Sequence, residues 1–184
     1  MSSSYSLCGS KRLRWVNNLY RDLGILAKDD TAMFGVRIEI AGQYMKDFNK
    51  SHCTFKRDDL QVGPFSWGGS VIQEDHADLT ISAFRSNEDR WKSDKVFFSI
   101  IGKRYFKDEG CKQTDRLGKL AFLLAGDRVG REKIRTFIRN NSQLNLIPEY
   151  SWIPKIIEEL SDIIPAIVSR GYFHYPYITT DYRD

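Results

Sequence analysis

Several features that would assign the chain to a known chemistry are missing from its sequence. It has three cysteines in 184 residues, at wide spacing and without a C-x-x-C pair, which excludes a disulfide-rich scaffold and leaves a zinc site without support. No G-x-x-x-x-G-K-[ST] or G-x-G-x-x-G loop occurs, and no G-x-S-x-G, H-E-x-x-H or kinase signature. We therefore expect no cofactor and no resident metal, and the sequence favours a binding protein over an enzyme.

Long apolar runs are also absent. The longest ones, at 120–125 and around 156–168, are too short or too interrupted by charge to cross a bilayer. The first ten residues are small and polar and lead directly into basic residues, unlike the apolar core of a secretory signal. We expect an intracellular, cytoplasmic protein, neither secreted nor membrane-spanning. Residues 1–10 are interpreted as a flexible tail and 11–184 as one domain.

The hydrophobic pattern of the first hundred residues predicts one helix followed by strands. Apolar residues recur at three- and four-residue steps over 11–28, the period of a helix with one buried stripe. The period changes to two over 33–41, which predicts a half-buried strand. Further strands are predicted over 77–84 and 95–101, with a short fourth one over 104–106. The strand at 95–101 has apolar residues on both faces, so we expect it to be central.

Beyond Gly110 the period becomes helical again. A helix is predicted with Thr114 as N-cap and Gly126 as the C-terminal stop, and another over 129–141. A last helix is predicted over 151–170, kinked or broken at Pro165. This order favours an α+β fold with an N-terminal helix, an antiparallel sheet of three to five strands, and C-terminal helices packed on one face.

The net charge of +4 conceals a sorting of charge along the chain. Residues 102–139 contain eleven Lys and Arg against five Asp and Glu, so the rest of the chain is slightly acidic. On the predicted helix over 129–141, the four arginines just before and along it fall within about 80° of one another and form a ridge. We name this set the arginine ridge: Arg128, Arg131, Arg135 and Arg139.

The arginine ridge has two interpretations. It is either a solvated helix face or a contact surface for phosphates of RNA or DNA, or for anionic lipid head groups, because the planar guanidinium binds phosphate oxygens in pairs. Basic residues of the same region and of the first helix extend the predicted nucleic-acid-binding set: Lys103, Arg104, Arg14 and Arg21.

The segment 172–177 is unusually aromatic, reading Tyr-Phe-His-Tyr-Pro-Tyr. Exposed rings can stack on single-stranded bases. Packing is the stronger interpretation, as an edge strand or in a groove, including a groove on a second copy of the chain. The segment therefore also predicts a homo-oligomer.

A weaker pattern suggests a metal site. Glu74, His76 and Asp78 alternate at the start of the strand predicted over 77–84, so on an extended strand they would share a face and could hold a divalent cation. The same alternation is typical of the solvent face of an antiparallel strand.

The leading hypothesis is a non-catalytic basic binding or structural module that engages an anionic partner, RNA first or an anionic membrane surface, and that self-associates, as in viral accessory or matrix-like proteins. One alternative is a metal-dependent phosphodiesterase or nuclease using Glu74, His76 and Asp78. The other is a protein-interaction adaptor in which the sorted charge only orients a partner.

Overall fold

The computed structural model describes residues 19, 22–24, 31–45, 54–76, 79–85, 94–107 and 109–178. Seven strands come first within these residues and most of the helical segments follow them, which is the segregated order of an α+β fold, and the strand pairings are antiparallel. In chain order the strands and helices are β1 (Thr31–Ala41), β2 (Phe55–Arg57), β3 (Leu60–Val62), β4 (Ser66–Trp67), β5 (Ser70–His76), β6 (Leu79–Arg85), β7 (Lys95–Tyr105), α1 (Gly110–Leu124), β8 (Gly130–Lys133), α2 (Ile134–Ile138), α3 (Ile153–Ser161), α4 (Ile167–Arg170) and β9 (Tyr172–Ile178). Short 3₁₀ helices occur at Gly42–Tyr44, Gln143–Leu146 and Pro148–Tyr150.

The main sheet is larger than the three to five strands predicted. It has seven strands in the order β2-β3-β7-β1-β9-β8, with β4 paired to β7 beside β3. The hairpin β5–β6 forms a separate two-stranded sheet, and the Ser82 hydroxyl donates to the carbonyl of Pro176 on β9. The strand predicted over 77–84 corresponds to β6, which pairs with β5.

The centre of the sheet is the pair β1–β7, eleven residues long on each side. On β1, Phe34, Val36, Ile38 and Ile40 are buried, as their period of two predicts. On β7 the residues of both faces are buried, which confirms its central position. The short strand predicted over 104–106 is wrong, because β7 continues without a break to Tyr105.

Helix α1 ends where the sequence predicts and begins earlier. Gly126 has φ +79°, its N–H donates to the carbonyl of Leu123, and the N–H of Asp127 donates to that of Phe122, the two bonds of a Schellman motif. Thr114 is not the N-cap. It is buried inside the helix, and its hydroxyl donates back to the carbonyl of Gly110, where the helix starts.

The long helix predicted over 151–170 is divided into α3 and α4. A proline ring collides with the carbonyl four residues before it, and α3 ends at Ser161, four residues before Pro165. The break is thus confirmed, and it leaves residues 162–166 as a turn.

The helix predicted over 129–141 is wrong in its first half. Gly130–Lys133 is the edge strand β8, and only Ile134–Ile138 is helical. Gly130 is a weak helix former, and it packs so closely on the ring of Tyr175 that a Cβ there would overlap the ring. Strand β9 pairs with residues 130–133 through backbone hydrogen bonds, and this pairing outweighs the local preference of these residues for a helix.

The C-terminal aromatic segment is β9, which lies between β1 and β8 and not at the edge of the sheet. Phe173 and Tyr175 are buried within the chain's own core. Of the predicted first helix over 11–28, the structure describes only Leu19 and residues 22–24, where the N–H of Leu23 donates to the carbonyl of Leu19. The rest of that prediction, including Arg14 and Arg21, lies outside the described residues.

A continuous apolar core includes the inward side chains of β1, β7 and β9. Leu117 and Ala121 of α1, Phe137 of α2 and Ile157 of α3 belong to the same buried cluster. Phe34 meets the ring of Tyr150 edge to face at 5.2 Å. None of the helices in the described ranges combines the length and the apolar character needed to span a membrane.

Candidate functional site

Arg131, predicted as part of the arginine ridge, is held in a charge cluster on the sheet. Strand β8 places its guanidinium beside Glu39 of β1, with Nε 3.2 Å from Oε2 and Nη2 3.1 Å from Oε1. The guanidinium also lies over the ring of Tyr172, 3.7 Å from its centroid. Because this fork is already paired with a carboxylate, Arg131 is a poor candidate for a phosphate ligand.

Glu39 is the centre of this cluster. Its carboxylate also receives the Lys95 ammonium at 2.8 Å and lies 2.7 Å from Nε2 of His174, which is buried like Glu39 itself. Since an ionised carboxylate only accepts hydrogen bonds, Nε2 of His174 carries the proton. We name these four residues the Glu39 cluster: Glu39, Lys95, Arg131 and His174.

Burial by itself raises the pKa of Glu39, but the hydrogen bonds from His174, Arg131 and Lys95 outweigh it and hold this pKa well below its usual range. A carboxylate with so low a pKa binds a proton weakly and makes a poor general base near neutral pH. The Glu39 cluster is therefore best described as an ion-pair network that ties β1 to β7, β8 and β9.

The remaining members of the arginine ridge have a different environment. Arg128 lies two residues before β8, Arg135 is on α2, and Arg139 is the C-cap residue of this helix. All three are exposed, and among the described residues none of them has an ion-pair partner. Lys133, the residue before α2, is exposed in the same way. We name these four residues the basic segment: Arg128, Lys133, Arg135 and Arg139.

Several other basic residues of the region are engaged within the chain, whereas Lys107 and Lys119 are exposed and have no ion-pair partner in the described residues. Arg104 on β7 forms an ion pair of 2.6 Å with Asp59, and its guanidinium lies 5.1 Å from the ring centroid of Trp152. Lys103 is half-buried on the same strand. Arg116 pairs with Glu149, and Lys112 with Glu109. Because these residues have acidic partners, the number of basic side chains available to a ligand is smaller than the eleven that the composition of 102–139 gives.

The metal-site prediction placed Glu74, His76 and Asp78 at the start of the strand over 77–84, but the first two lie on the preceding strand. Glu74 and His76 lie on β5, which ends at His76, and the next described strand begins at Leu79. Asp78 lies outside the described residues. Within the described ranges, no three His, Cys, Asp or Glu side chains come together in a way that would hold a metal ion.

The C-terminal rings are also largely engaged. The ring of Tyr172 is covered by Arg131, and the guanidinium of Arg37 lies 4.5 Å from the ring centroid of Tyr177. Tyr175 donates to Glu132, and burial raises its pKa above the usual range, with the Glu132 hydrogen bond as a second cause. These rings support the sheet more than they offer free faces for bases.

Sequence reasoning did not find the Glu39 cluster. The available signal was a lone carboxylate in the middle of an apolar strand, but its partners are separated from it by 92 and 135 positions for Arg131 and His174. No family model matches the chain, and no curated protein is significantly similar to it in sequence.

Proposed function

We propose that the chain is a non-catalytic binding module that engages an anionic polymer, RNA first, through the basic segment. The observation that carries this proposal is that four exposed cations occur within twelve residues without an ion-pair partner in the described part of the chain. Most neighbouring arginines and lysines have acidic partners. An uncompensated cluster of this kind raises the local concentration of polyanions.

The arrangement of Arg135 and Arg139 supports phosphate as the ligand. They lie one helical turn apart at the C-terminal end of α2, where like charges at i and i+4 repel by a few tenths of a kcal/mol. A bound phosphate relieves this repulsion and accepts two parallel hydrogen bonds from each guanidinium. Lys103, Arg104, Arg14 and Arg21 are retained as secondary contacts, with Arg104 available only when its bond to Asp59 opens.

Substitution of two arginines of the basic segment tests whether it binds RNA. Replacing both arginines (Arg135→Ala/Arg139→Ala) is expected to weaken binding of labelled single-stranded RNA about tenfold per residue, because each loses charge-assisted hydrogen bonds. The slope of log K against log salt should fall by about 0.7 per arginine, the value for single strands. Fluorescence anisotropy at several salt concentrations measures both quantities.

A matched control removes the same charge elsewhere. Lys107→Ala/Lys155→Ala also deletes two exposed cations that have no ion-pair partner in the described residues, and should retain most of the affinity. Equal losses in the two double variants would contradict a defined surface. An absence of RNA binding at low salt would refute RNA as the partner and direct the search to anionic vesicles or to a protein partner. Cleavage of the RNA that requires Mg²⁺ or Mn²⁺ would instead favour the phosphodiesterase alternative with Glu74, His76 and Asp78.

A further inference from the structure

Strand β8 lies at an edge of the main sheet. Strand β9 pairs with one side of it, and no strand of the described ranges pairs with the other side. The residues of β8 and those next to it in the chain are rich in positive charge. From these features we infer that the outer edge of β8 binds an extended acidic segment of a partner protein, which adds a further strand to the sheet. This interaction goes beyond the proposed binding of RNA, because it uses the backbone of a strand edge.

The pairing of β8 with β9 shows which backbone groups point to the outer edge. The N–H of Ile134, the residue after β8, donates to the carbonyl of Gly171 at 3.1 Å. Hydrogen-bonded residues alternate along an antiparallel pair, so Arg131 and Lys133 direct their backbone groups away from β9. Lys133 is also the N-cap of α2, and its carbonyl accepts the first helical hydrogen bond. The N–H and carbonyl of Arg131 and the N–H of Lys133 therefore face the outer edge, where an added strand would bind.

The side chains of Arg131 and Glu132 turn away from this edge. The guanidinium of Arg131 lies over Tyr172 of β9 and reaches Glu39 of β1, toward the middle of the sheet. Glu132 accepts a hydrogen bond from Tyr175 of β9, so its side chain also points inward. A peptide strand can therefore approach the backbone of β8 without displacing either contact.

Charge around the edge indicates an acidic occupant. Lys133 is the last residue of the strand, and Arg128 and Arg135 lie two residues before and after it. All three are exposed, and none has an ion-pair partner in the described part of the chain. The exposed carboxylate of this stretch is that of Asp127. A strand with carboxylates at alternate positions would be attracted by the excess of positive charge.

A second copy of β8 is a poor occupant of the same edge. In an antiparallel pair of two β8 strands that engages the outward groups of both residues, Arg131 of each copy lies opposite Lys133 of the other. Like charges directly opposite one another destabilise a sheet. Short, charged edge strands protect proteins against such self-pairing. The same charges favour a strand of opposite sign, so the edge selects an acidic partner.

An acidic peptide of alternating sequence, acetyl-Glu-Val-Glu-Val-Glu-Val-amide, is the probe, and its counterpart with glutamine in place of glutamate is the matched control. Both are titrated into the full chain at low salt, and the backbone amide signals are followed by NMR. We expect the acidic peptide to bind about tenfold more tightly, since it adds up to three exposed ion pairs. The amide signals of Arg131 and Lys133 should shift more than those of Gly130 and Glu132, whose N–H groups face β9.

Two substitutions at Lys133 distinguish its backbone N–H from its charge. Lys133 has φ −71° and follows a residue in a strand, so proline fits this position and removes an N–H that β9 does not bind. Lys133→Ala removes only the charge and should weaken binding of the acidic peptide about threefold. Lys133→Pro should weaken it about fivefold more, the effect of one hydrogen bond of about 1 kcal/mol. Lys155→Ala, at an exposed position of α3, should leave the affinity unchanged.

Absence of binding of the acidic peptide at low salt overturns the inference, as does equal binding of the glutamine peptide. Equal affinities of Lys133→Pro and Lys133→Ala overturn strand addition, because the N–H is then not used. If Lys133→Pro does not fold, the NMR comparison decides the question. Shifts confined to Arg135 and Arg139 would mean attraction to the basic segment alone. An apolar cavity of about 290 Å³ between β2–β3 and α3 is lined in part by Leu160 and Ile163, and shifts confined to these residues would place the valines there; either result overturns the edge as the site.

Failure of this inference is distinguishable from failure of the proposed function. Binding of RNA through side-chain charge should weaken equally in Lys133→Ala and Lys133→Pro, because both variants lose the same charge. A chain that binds the acidic peptide but no RNA would refute only the RNA proposal. A chain that binds RNA but not the peptide would refute only strand addition at β8.

Discussion

Replacement of Glu39 by alanine is expected to lower the free energy of unfolding by about 3 kcal/mol, toward the lower end of the range for breaking a buried ion pair. The variant leaves the buried His174 without its acceptor and removes the counter-ion of Arg131 and Lys95. Arg131 and Lys95 are each about half exposed, so water compensates part of the loss at those two positions. Urea unfolding at neutral pH measures the effect.

Glu158 supplies the matched control for this experiment. It is an exposed carboxylate on α3 with no ion-pair partner in the described part of the chain, and Glu158→Ala should change stability by less than about 0.5 kcal/mol. Similar losses in the two variants would show that the Glu39 cluster contributes no more than an ordinary surface charge.

The lowered pKa of Glu39 adds a dependence on pH with a defined sign. In the unfolded chain this carboxyl takes up a proton near pH 4.3, whereas in the folded chain it stays ionised to a lower pH. Between these two values the unfolded state binds more protons, so acidification favours unfolding. The stability difference between the native chain and Glu39→Ala should therefore be complete above about pH 5 and shrink steadily as the pH falls below 4. A difference that stays constant down to pH 3 would contradict the lowered pKa.

The second large effect is expected from Gly35→Ala, which should prevent native pairing of β1 with β7 or destabilise the fold by about 3 kcal/mol or more. Gly35 lies opposite Ile101 on β7 and opposite Tyr177 on β9, at an irregularity in the β1–β9 register. A Cβ at this position would overlap the backbone carbonyl of Ile100. Backbone atoms of a central strand cannot move aside as the end of a flexible side chain can.

Gly126→Ala provides the contrast, because nothing lies within 4 Å of a Cβ built there. Its φ of +79° still disfavours alanine, so a cost of about 1 kcal/mol is expected. Chemical unfolding of the two variants, together with near-ultraviolet circular dichroism, separates steric overlap from backbone strain. Equal costs in the two variants would mean that β1 and β7 separate easily at Gly35.

The regular parts of the fold were predictable because local periodicity decides them. The alternation from Phe34 to Ile40 has only one arrangement that buries its apolar side chains, and that arrangement is a strand. Gly126 ends α1 and Pro165 separates α3 from α4 for reasons of backbone geometry that require no distant partner.

The candidate surface was predictable only in part. The excess of positive charge in 102–139 is a property of the sequence, but a composition count does not distinguish a paired cation from a free one. The structure removes Arg131 and Arg104 from the free set by pairing them with Glu39 and Asp59. It also replaces the continuous ridge by a strand followed by a short helix, because β9 offers hydrogen bonds to Gly130–Lys133.

By itself, the sequence determined an α+β composition of strands and helices, the buried face of β1, the central character of β7 and the charge excess that suggests an anionic partner. Only the tertiary structure decided the order of the strands, the strand conformation of residues 130–133, the partners of Glu39 and the cavity beside α3. The physical reason is the range of the interactions. Periodicity, glycine and proline act within about one helical turn, whereas strand pairing, ion pairs and cavities join residues far apart in the chain, whose proximity depends on the whole core.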